Sequence, residues 1–420
     1  MSHLTDIFST VCFTAAILHT FSVKFFQRLA HKFPRGSAGE NFFHLLGEVE
    51  VVFGLWAAVF LAYFSIASGA TTAIEYLESC NFTEPVFVFV IMAVCATRPI
   101  LRAAGKIIDA ASRPLPLPKP LAFYVSALVI GPLLGSFITE PAAMTVTALI
   151  LLDRFYQKKI SLPLKYATIG LLFVNVSIGG TLTPYAAPPV LMVAQKWGWD
   201  LKFMLVNFGH KAVLAIVLST ALVAFRYRKE LASITWSKKT AEEKLPLWVS
   251  SSYFLFLAAI VVASHHLPLF LGIFLFFLGL VSVTREYQKE LKLKEGLLVG
   301  FFLAGLVVLG GPQRWWLEPI LTQLGTLPLF LGGISLTAIT DNAALTFLGA
   351  QVPGLSEASK YALVAGAVVG GGLTVIANAP NPAGYGILNA AFGKDGINPL
   401  WLFVSALPPT LIAALCFWVL

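Results

Sequence analysis

Apolar runs long enough to cross a lipid bilayer recur along this chain, separated by short polar segments. A spanning helix needs about 20 mostly apolar residues. By that rule we predict ten spans, near residues 5–22, 42–67, 85–105, 161–195, 206–225, 247–264, 268–284, 296–311, 361–390 and 399–419. Backbone polar groups inside a bilayer need internal partners, which favours helices. The sequence therefore predicts an all-α, polytopic protein embedded in the lipid bilayer.

The composition excludes most classes of soluble protein. Hydrophobic residues make up 57% of the chain and charged residues only 12%, whereas soluble domains carry roughly 25% charged residues. We attribute the net charge of +8 to cytoplasmic loops and predict no nucleic-acid partner. The 4 cysteines are scattered and lack metal-binding spacing. Without a phosphate-binding loop or a nucleophile elbow, we predict no enzyme activity and no cofactor.

A seven-residue motif occurs twice, each time within a long apolar run. Residues 139–145 read TEPAAMT and residues 340–346 read TDNAALT. Each copy is followed by a Gly-Gly pair and then by a proline-containing segment. These later landmarks are Gly179-Gly180 with Ala187-Pro188-Pro189, and Gly371-Gly372 with Ala379-Pro380-Asn381. Landmarks in one order in both parts of the chain predict an internal duplication.

The basic residues predict how the two motif-bearing runs, 120–152 and 322–350, lie in the membrane. Cytoplasmic loops carry an excess of Lys and Arg. If segment 23–41 is cytoplasmic, 24 of the 29 Lys and Arg residues fall on that side. Run 120–152 then enters and leaves on the cytoplasmic side, and run 322–350 on the outside. We therefore predict two re-entrant hairpins with their tips near the midplane.

Each half of the chain then holds about five transmembrane helices and one hairpin. Five is an odd number, so the halves have opposite orientations, the inverted-repeat plan of many secondary transporters. We predict a first repeat at 1–225, a cytoplasmic linker at 226–246 and a second repeat at 247–420. The spans at 161–195 and 361–390 are too long for one crossing and contain Gly and Pro. We expect both to be helices broken at the midplane.

Glu140 and Asp341 occupy equivalent positions in the two motifs. Ionisable residues within the membrane mark ion or substrate pathways, so we predict a sodium site at these two carboxylates. Hydroxyl and amide oxygens suit a hard cation. The candidate ion- and proton-binding residues are Thr139, Glu140, Thr145, Thr181, Thr183, Thr340, Asp341, Asn342, Thr346, Thr374, Asn378 and Asn381. We expect Asp341→Asn to abolish transport and Glu140→Gln to impair it.

Two alternatives remain open for the acidic residues. Glu140 or Asp341 could instead cap a helix N-terminus, a role that suits Asp and Thr, and both roles can coexist. Glu48, near the start of the second span, is an accessory carboxylate candidate. The competing interpretation of Glu48 is an interfacial charge that anchors the end of a helix.

The motifs resemble those of the ion transporter superfamily, which includes NhaD-type sodium/proton antiporters, arsenite permeases and sodium-coupled dicarboxylate carriers. The resemblance rests on TDNA at 340–343, GGLT at 371–374 and EGLLVGFFLAG at 295–305. Within this superfamily, HLLGEVE at 44–50 and FGLW at 53–56 are similar to a bacterial family named putative sodium/proton antiporters. The resemblance implies paired hairpins around one site, a homodimer formed through a scaffold domain, elevator-type movement and a bacterial inner-membrane location.

The hairpin tips favour a cation substrate over an anion. Dicarboxylate carriers of the superfamily have Ser-Asn-Thr at both tips, whereas this chain has a carboxylate at each tip, which would repel a dianion. We predict a secondary antiporter that exchanges sodium for protons. The alternative is an anion or organic-acid transporter of the dicarboxylate or arsenite type, in which helix N-termini bind the anion.

Overall fold

The computed structural model describes residues 3–158, 160–235, 245–288, 291, 293–393 and 396–420. Those residues form helices and connecting segments, and no strand occurs among them. The α-helices are α1 (His3–Ala30), α2 (Ala38–Leu46), α3 (Val49–Ser68), α4 (Ala70–Ser79), α5 (Thr83–Cys95), α6 (Arg98–Ser112), α7 (Lys119–Ile138), α8 (Glu140–Leu151), α9 (Leu162–Gly179), α10 (Pro188–Trp197), α11 (Leu201–Met204), α12 (His210–Arg226), α13 (Arg228–Ala232), α14 (Leu247–Val262), α15 (Leu267–Val283), α16 (Leu293–Gly310), α17 (Arg314–Leu321), α18 (Thr326–Thr337), α19 (Asn342–Ala350), α20 (Glu357–Gly370), α21 (Asn381–Asn389) and α22 (Pro399–Val419).

Two kinds of shorter helical turn join some of these elements. Leu152–Tyr156 and Leu205–Gly209 are π-helical, and Gly180–Leu182, Arg285–Tyr287, Gly311–Gln313 and Ala390–Phe392 are 3-10 turns. The all-α prediction is therefore confirmed over the described part of the chain.

Seven helical segments of the described residues are long and apolar enough to cross a membrane. They are His3–Val23, Glu50–Ser68, Lys119–Ile138, Leu162–Leu182, Leu201–Arg226, Leu293–Leu321 and Pro399–Val419. Helices α4 and α5, which meet at a bend of 61°, make an eighth candidate if they form one broken span. These apolar helices confirm an integral, multi-pass membrane protein.

This number is smaller than the ten spans predicted from apolar runs. Helices α14 and α15 are apolar but only 16 and 17 residues long, and the run at 361–390 is divided between α20 and α21. Conversely, α7, which we assigned to a hairpin, has 20 residues and is about 30 Å long, enough to cross alone. Helix breaks divide the runs at 85–105 and 361–390, whereas the runs at 247–264 and 268–284 form helices that are too short to be counted.

By contacts, the chain separates into two compact units, each built from three segments. Unit 1 contains Met1–Phe89, Leu293–Gly325 and Phe347–Glu357, and unit 2 contains Val90–Lys292, Thr326–Thr346 and Ala358–Leu420. Both units draw on both proposed repeats, so the repeat boundaries at 1–225 and 247–420 remain a prediction. Of the predicted linker 226–246, residues 236–244 lie outside the described residues.

Unit 1 contains a close backbone contact between α3 and α16. A Cβ atom added to Gly305 would lie 2.6 Å from the Cα atom of Gly54. Small residues allow membrane helices to approach this closely. At the end of α16, the buried Gln313 donates to the Ser9 hydroxyl at 3.2 Å and accepts from the Thr10 hydroxyl at 2.9 Å. These bonds fix α1 against the end of α16.

In unit 2, α7 and α8 form an antiparallel helical hairpin. Gly131 of α7 lies against Thr147 of α8, and Gly135 lies against Ala143. The chain reverses at Thr139, whose φ of 69° and ψ of 152° fall in a region that glycine normally occupies. This reversal brings the start of α8 into the interior of unit 2, since Glu140 is fully buried.

Candidate functional site

Unit 2 contains four helix breaks at the places predicted from Gly, Pro and polar residues. They separate α7 from α8, α9 from α10, α18 from α19, and α20 from α21, at residues 139, 180–187, 338–341 and 371–380. Pro141, Pro188 and Pro382 lie in the first turn of the helices that follow three of these breaks. Proline is tolerated there because the first-turn N–H has no partner within the helix.

Glu140, the first residue of α8, has no exposed surface. Its Oε2 atom accepts a hydrogen bond from the Asn378 side-chain nitrogen at 2.8 Å, whereas its buried Oε1 atom has no hydrogen-bond partner. Gly180 forms one wall of this pocket, because a Cβ atom there would lie 2.5 Å from the Glu140 Cγ atom and 2.9 Å from Cδ. A side chain at position 180 would therefore displace the carboxylate.

Three asparagines place further amide oxygens in the interior of unit 2. The Oδ1 atoms of Asn342, Asn378 and Asn381 are buried and lack hydrogen-bond partners. Asn381 is oriented by its nitrogen, which donates to the carbonyl oxygens of Gly371 at 2.7 Å and Thr374 at 2.8 Å. An unsatisfied buried acceptor costs about 1–3 kcal/mol. Each of these three oxygens can therefore accept a hydrogen bond or bind a cation.

These asparagines are linked to Glu140 through the break at 371–380. Asn378 contacts the carboxylate directly, and the Asn381 backbone nitrogen donates to the Asn378 carbonyl oxygen at 3.0 Å. The backbone nitrogen of Asn342 donates to the Ala377 carbonyl oxygen at 3.1 Å. The second hairpin and the second broken helix thus meet at the residues next to Asn378.

Asp341 caps the N-terminus of α19. Its Oδ1 atom accepts from the backbone nitrogens of Ala343 at 2.8 Å and Ala344 at 3.3 Å, so the capping alternative is observed. Asp341 is half-buried. Capping uses one oxygen of Asp341 and is compatible with an electrostatic role toward a cation.

Thr139 adopts a strained backbone conformation next to Glu140. Its φ of 69° is positive, the only such non-glycine value in the described chain, and its buried hydroxyl has no hydrogen-bond partner. A β-branched residue in this region costs on the order of 1–3 kcal/mol. The strain is located at the hairpin tip, where the carboxylate enters the interior.

The other predicted threonines bind nearby backbone carbonyls through their hydroxyl groups. The acceptors are Pro141 for Thr145 at 2.9 Å, Ile178 for Thr181 at 2.7 Å, Ser136 for Thr183 at 2.7 Å, Ala343 for Thr346 at 3.2 Å, and Ala338 for Thr374 at 2.9 Å. Thr340 is half-buried, and its backbone nitrogen donates to the Leu336 carbonyl oxygen at 2.9 Å. Thr181, Thr183 and Thr374 therefore lie within the helix breaks, whereas Thr145 and Thr346 donate to the preceding turn of their own helices.

The sequence did not single out Ser136 and Ser177. The Ser136 hydroxyl donates to the Gly179 carbonyl oxygen at 2.7 Å and accepts from the Leu182 nitrogen at 2.9 Å, so it satisfies backbone groups at the first broken helix. Ser177 donates to the Val368 carbonyl oxygen at 2.7 Å. Both are lone hydroxyls in otherwise apolar runs, one helical turn or less from a predicted break, and that position was the available signal.

Glu48 belongs to unit 1, whereas the residues described above belong to unit 2. Its Oε1 atom accepts from the Lys294 ammonium group at 3.0 Å, and its side chain is 29% exposed. Glu48 precedes α3 and makes no side-chain cap bond. An ion pair of this kind suits the anchoring role that we considered for Glu48.

Comparison with known families supports a transport role. The family described as "Putative Na+/H+ antiporter" matches residues 4–420, which confirms the resemblance drawn from the motifs. No curated protein sequence matches the chain. Because the family match extends over nearly the whole length, this membrane protein belongs to the family described as "Putative Na+/H+ antiporter".

Proposed function

We propose that this protein exchanges sodium ions for protons at a single shared site centred on Glu140. The proposal rests on the different surroundings of the two oxygen atoms of this carboxylate. One oxygen is held by Asn378 at 2.8 Å, and the other is buried without a hydrogen-bond partner. A proton or a sodium ion would supply the interaction that the second oxygen lacks.

The neighbouring acceptors suit sodium better than a softer cation. Hard cations take oxygen ligands, and the buried amide oxygens of Asn342, Asn378 and Asn381 lack hydrogen-bond partners. In the proposed bound state, Glu140 supplies the charge and the amides replace part of the ion's water shell. Asp341 adds its negative charge to the attraction for a cation.

Competition for one carboxylate supplies the exchange mechanism. A protonated Glu140 neither carries the negative charge nor offers the same oxygen to sodium, so the two occupants exclude one another. A transporter that moves only when one of them is bound exchanges them across the membrane. The transport step requires no chemistry beyond the binding and release of a proton.

The finer features predicted from the sequence belong to this proposal. They are the inverted repeat, re-entrant hairpins with tips at the midplane, elevator-type movement of a transport domain, a homodimer and a bacterial inner-membrane location. The four breaks at 139, 180–187, 338–341 and 371–380 support the first two, because non-helical backbone at membrane depth must be buried or line a polar cavity.

An anion substrate is disfavoured by the occupants of the helix N-termini. An anion transporter of this superfamily would use the N-termini of α8 and α19 to bind its substrate. Here Glu140 is the first residue of α8, and Asp341 caps α19. Carboxylates already occupy both positions and would repel an anion.

The test is sodium binding by calorimetry at several pH values, with proton release measured in weak buffer. If sodium displaces one proton, its apparent affinity weakens about tenfold per pH unit below the pKa of the binding carboxylate, about 1.4 kcal/mol per unit. Transport in proteoliposomes with imposed sodium, potassium and succinate gradients identifies the substrate. A sodium affinity that is independent of pH, or transport driven by succinate alone, would contradict the proposal.

A further inference from the structure

Two histidines and a glutamate lie close together where α1 is connected to α2, outside the site described above. His31 lies directly after α1, and Glu40 and His44 lie on α2. Their potential ligand atoms all lie within 4.8 Å of one another. The His44 Nε2 atom is 3.7 Å from the Glu40 Oε1 atom. We propose that these three residues bind one divalent transition-metal ion of the zinc type.

The spacing matches what such an ion requires. Zinc binds imidazole nitrogen and carboxylate oxygen at about 2.0–2.2 Å, usually with four ligands in a tetrahedron. Ligand atoms around such an ion are about 3.4 Å apart by that geometry. The His44–Glu40 distance of 3.7 Å is already close to this value. The other pairs of ligand atoms are at most 4.8 Å apart. They would have to approach by up to about 1.4 Å to reach the spacing in a zinc site.

The sequence creates half of this cluster within a single helix. Glu40 and His44 are four residues apart on α2, so their side chains lie on the same face, one turn apart. The helix begins after Ser37, whose hydroxyl accepts from the Glu40 backbone nitrogen at 3.2 Å. This cap fixes the start of α2, and therefore fixes the position of Glu40 relative to the loop.

The third ligand is brought in by the folding of the loop onto α2. Phe33 stacks on Phe43 with ring centroids 5.1 Å apart, and its ring fills the space beside Gly39, where a Cβ atom would lie 2.9 Å from the Phe33 Cε1 atom. These contacts hold the loop that begins at His31 against the face of α2. They are independent of any metal, so the cluster is assembled before an ion binds.

The carboxylate of Glu40 has the support expected of a metal ligand. Its Oε2 atom accepts from the backbone nitrogen of Gly36, which leaves Oε1 facing His44. The Glu40 side chain is only 16% exposed, whereas that of His44 is 43% exposed and His31 is exposed. The site is therefore open to solvent on the histidine side, where water can complete the coordination.

The ligand types select the class of ion. Two imidazoles and one carboxylate suit zinc, cobalt, nickel or copper, whereas magnesium and calcium prefer oxygen ligands alone. Sodium is likewise a hard cation, so this cluster does not duplicate the proposed sodium site. A bound ion would connect the end of α1 to α2 within unit 1, and would thereby stabilise that unit.

The experiment uses the full-length protein in detergent, with any affinity tag removed and metals stripped by a chelator. A Cys80→Ser background removes the one cysteine that is not fully buried among those in the described chain. Zinc is titrated by calorimetry, and cobalt absorption reports the coordination geometry. We expect one zinc ion per chain and a tetrahedral cobalt spectrum.

Two single variants and a matched control locate the site. His31→Gln and His44→Gln should each weaken zinc binding at least about 100-fold. Removal of a residue that only supports a ligand already weakens metal binding about 10- to 100-fold, and loss of a ligand should cost more. His265→Gln, at an exposed histidine of unit 2, should bind zinc like the wild type. Zinc should raise the melting temperature of the wild type and the control, and leave that of the two variants unchanged.

Melting temperatures without zinc that match the wild type show that the two histidine variants fold, and Glu140→Gln should still bind zinc. An absence of zinc binding by the wild type, or equal binding by the wild type and both histidine variants, would overturn the proposal.

Discussion

The two copies of the seven-residue motif in unit 2 hold their carboxylates in different ways. Glu140 is fully buried, and an asparagine from the other copy binds it at 2.8 Å. Asp341 is half-buried, and backbone nitrogens of its own helix bind it at 2.8 and 3.3 Å. The carboxylate thus makes a long-range contact in the first copy, whereas in the second copy it caps its own helix.

The two broken helices also differ, both in their local structure and in their contacts. The first break, at 180–187, begins with a 3-10 turn at Gly180–Leu182, and Ser136 satisfies its backbone. The second break, at 371–380, has no helix among its ten residues, and it supplies Asn378, whose side chain reaches Glu140. The first copy provides the buried charge, and the second provides the amide that binds it.

Glycines form close helix contacts in both copies. In the first copy, α7 and α8 pack against each other through Gly131 and Gly135. In the second copy, α18 packs against α20, where Gly333 lies against the backbone of Gly366 and Ala367. In the first copy, α7 also packs against α9, where a Cβ atom at Gly179 would lie 3.1 Å from the Pro132 Cβ atom. The predictions below test whether the asymmetry of the carboxylates extends to function.

The largest effect should come from Glu140→Gln. Glutamine keeps the size of the side chain but removes the charge that we assign to the sodium ion. We expect a loss of at least about 100-fold in apparent sodium affinity, which corresponds to about 2.8 kcal/mol, and no proton release on adding sodium. Calorimetry in weak buffer measures both, with Glu318→Gln as the control because the Glu318 side chain is 39% exposed and paired with Arg314 at 2.8 Å.

This expectation reverses the order that we drew from the sequence, where Asp341→Asn was expected to be the more damaging change. Because Glu140 is buried and bound by Asn378, we now expect Glu140→Gln to be the more damaging change. Sodium binding by Glu140→Gln at wild-type affinity would remove Glu140 from the proposed site.

A smaller effect is expected from Gly180→Ala. The added methyl group would lie 2.9 Å or less from the Glu140 Cδ atom and should push the carboxylate away from Asn378. Loss of a hydrogen bond to a charged group costs about 1.5–3 kcal/mol, so we expect sodium affinity to fall about 10- to 100-fold. Gly386→Ala is the matched control, because nothing lies within 4 Å of a Cβ atom there.

Sodium affinity measured in both glycine variants, together with their melting temperatures, separates displacement of the carboxylate from general destabilisation. Equal sodium affinities in Gly180→Ala and Gly386→Ala would show that the shape of the pocket around Glu140 is unimportant.

The smallest effects should come from Asp341, where two substitutions separate the cap from the charge. Asparagine caps helices about as well as aspartate, whereas alanine costs about 1 kcal/mol. We therefore expect Asp341→Asn to keep the stability of the wild type and Asp341→Ala to lower it by about that amount. If the charge of Asp341 assists cation binding, both variants should lose up to about tenfold in sodium affinity, or about 1.4 kcal/mol.

Thermal unfolding and calorimetry on the same two proteins distinguish these roles. A loss of affinity as large as that of Glu140→Gln would show that the two carboxylates contribute equally, despite their different surroundings.

The sequence by itself determined the class of the protein and the places where its helices break. Apolar runs require helices in a bilayer, and Pro cannot donate a backbone hydrogen bond, so both features depend on local chemistry. The same local reasoning identified Glu140, Asp341 and Asn378 as candidate residues, because polar groups in apolar runs are costly unless they have a role.

Only the tertiary structure decided which carboxylate is buried and what holds it. Glu140 and Asn378 are 238 residues apart, and no local pattern specifies their contact. The close approach of Gly180 to the carboxylate and the assignment of Glu48 to the other unit likewise depend on packing. Burial and hydrogen bonding at these positions are set by residues distant in the chain, whereas hydropathy and helix breaking are set by the residues themselves.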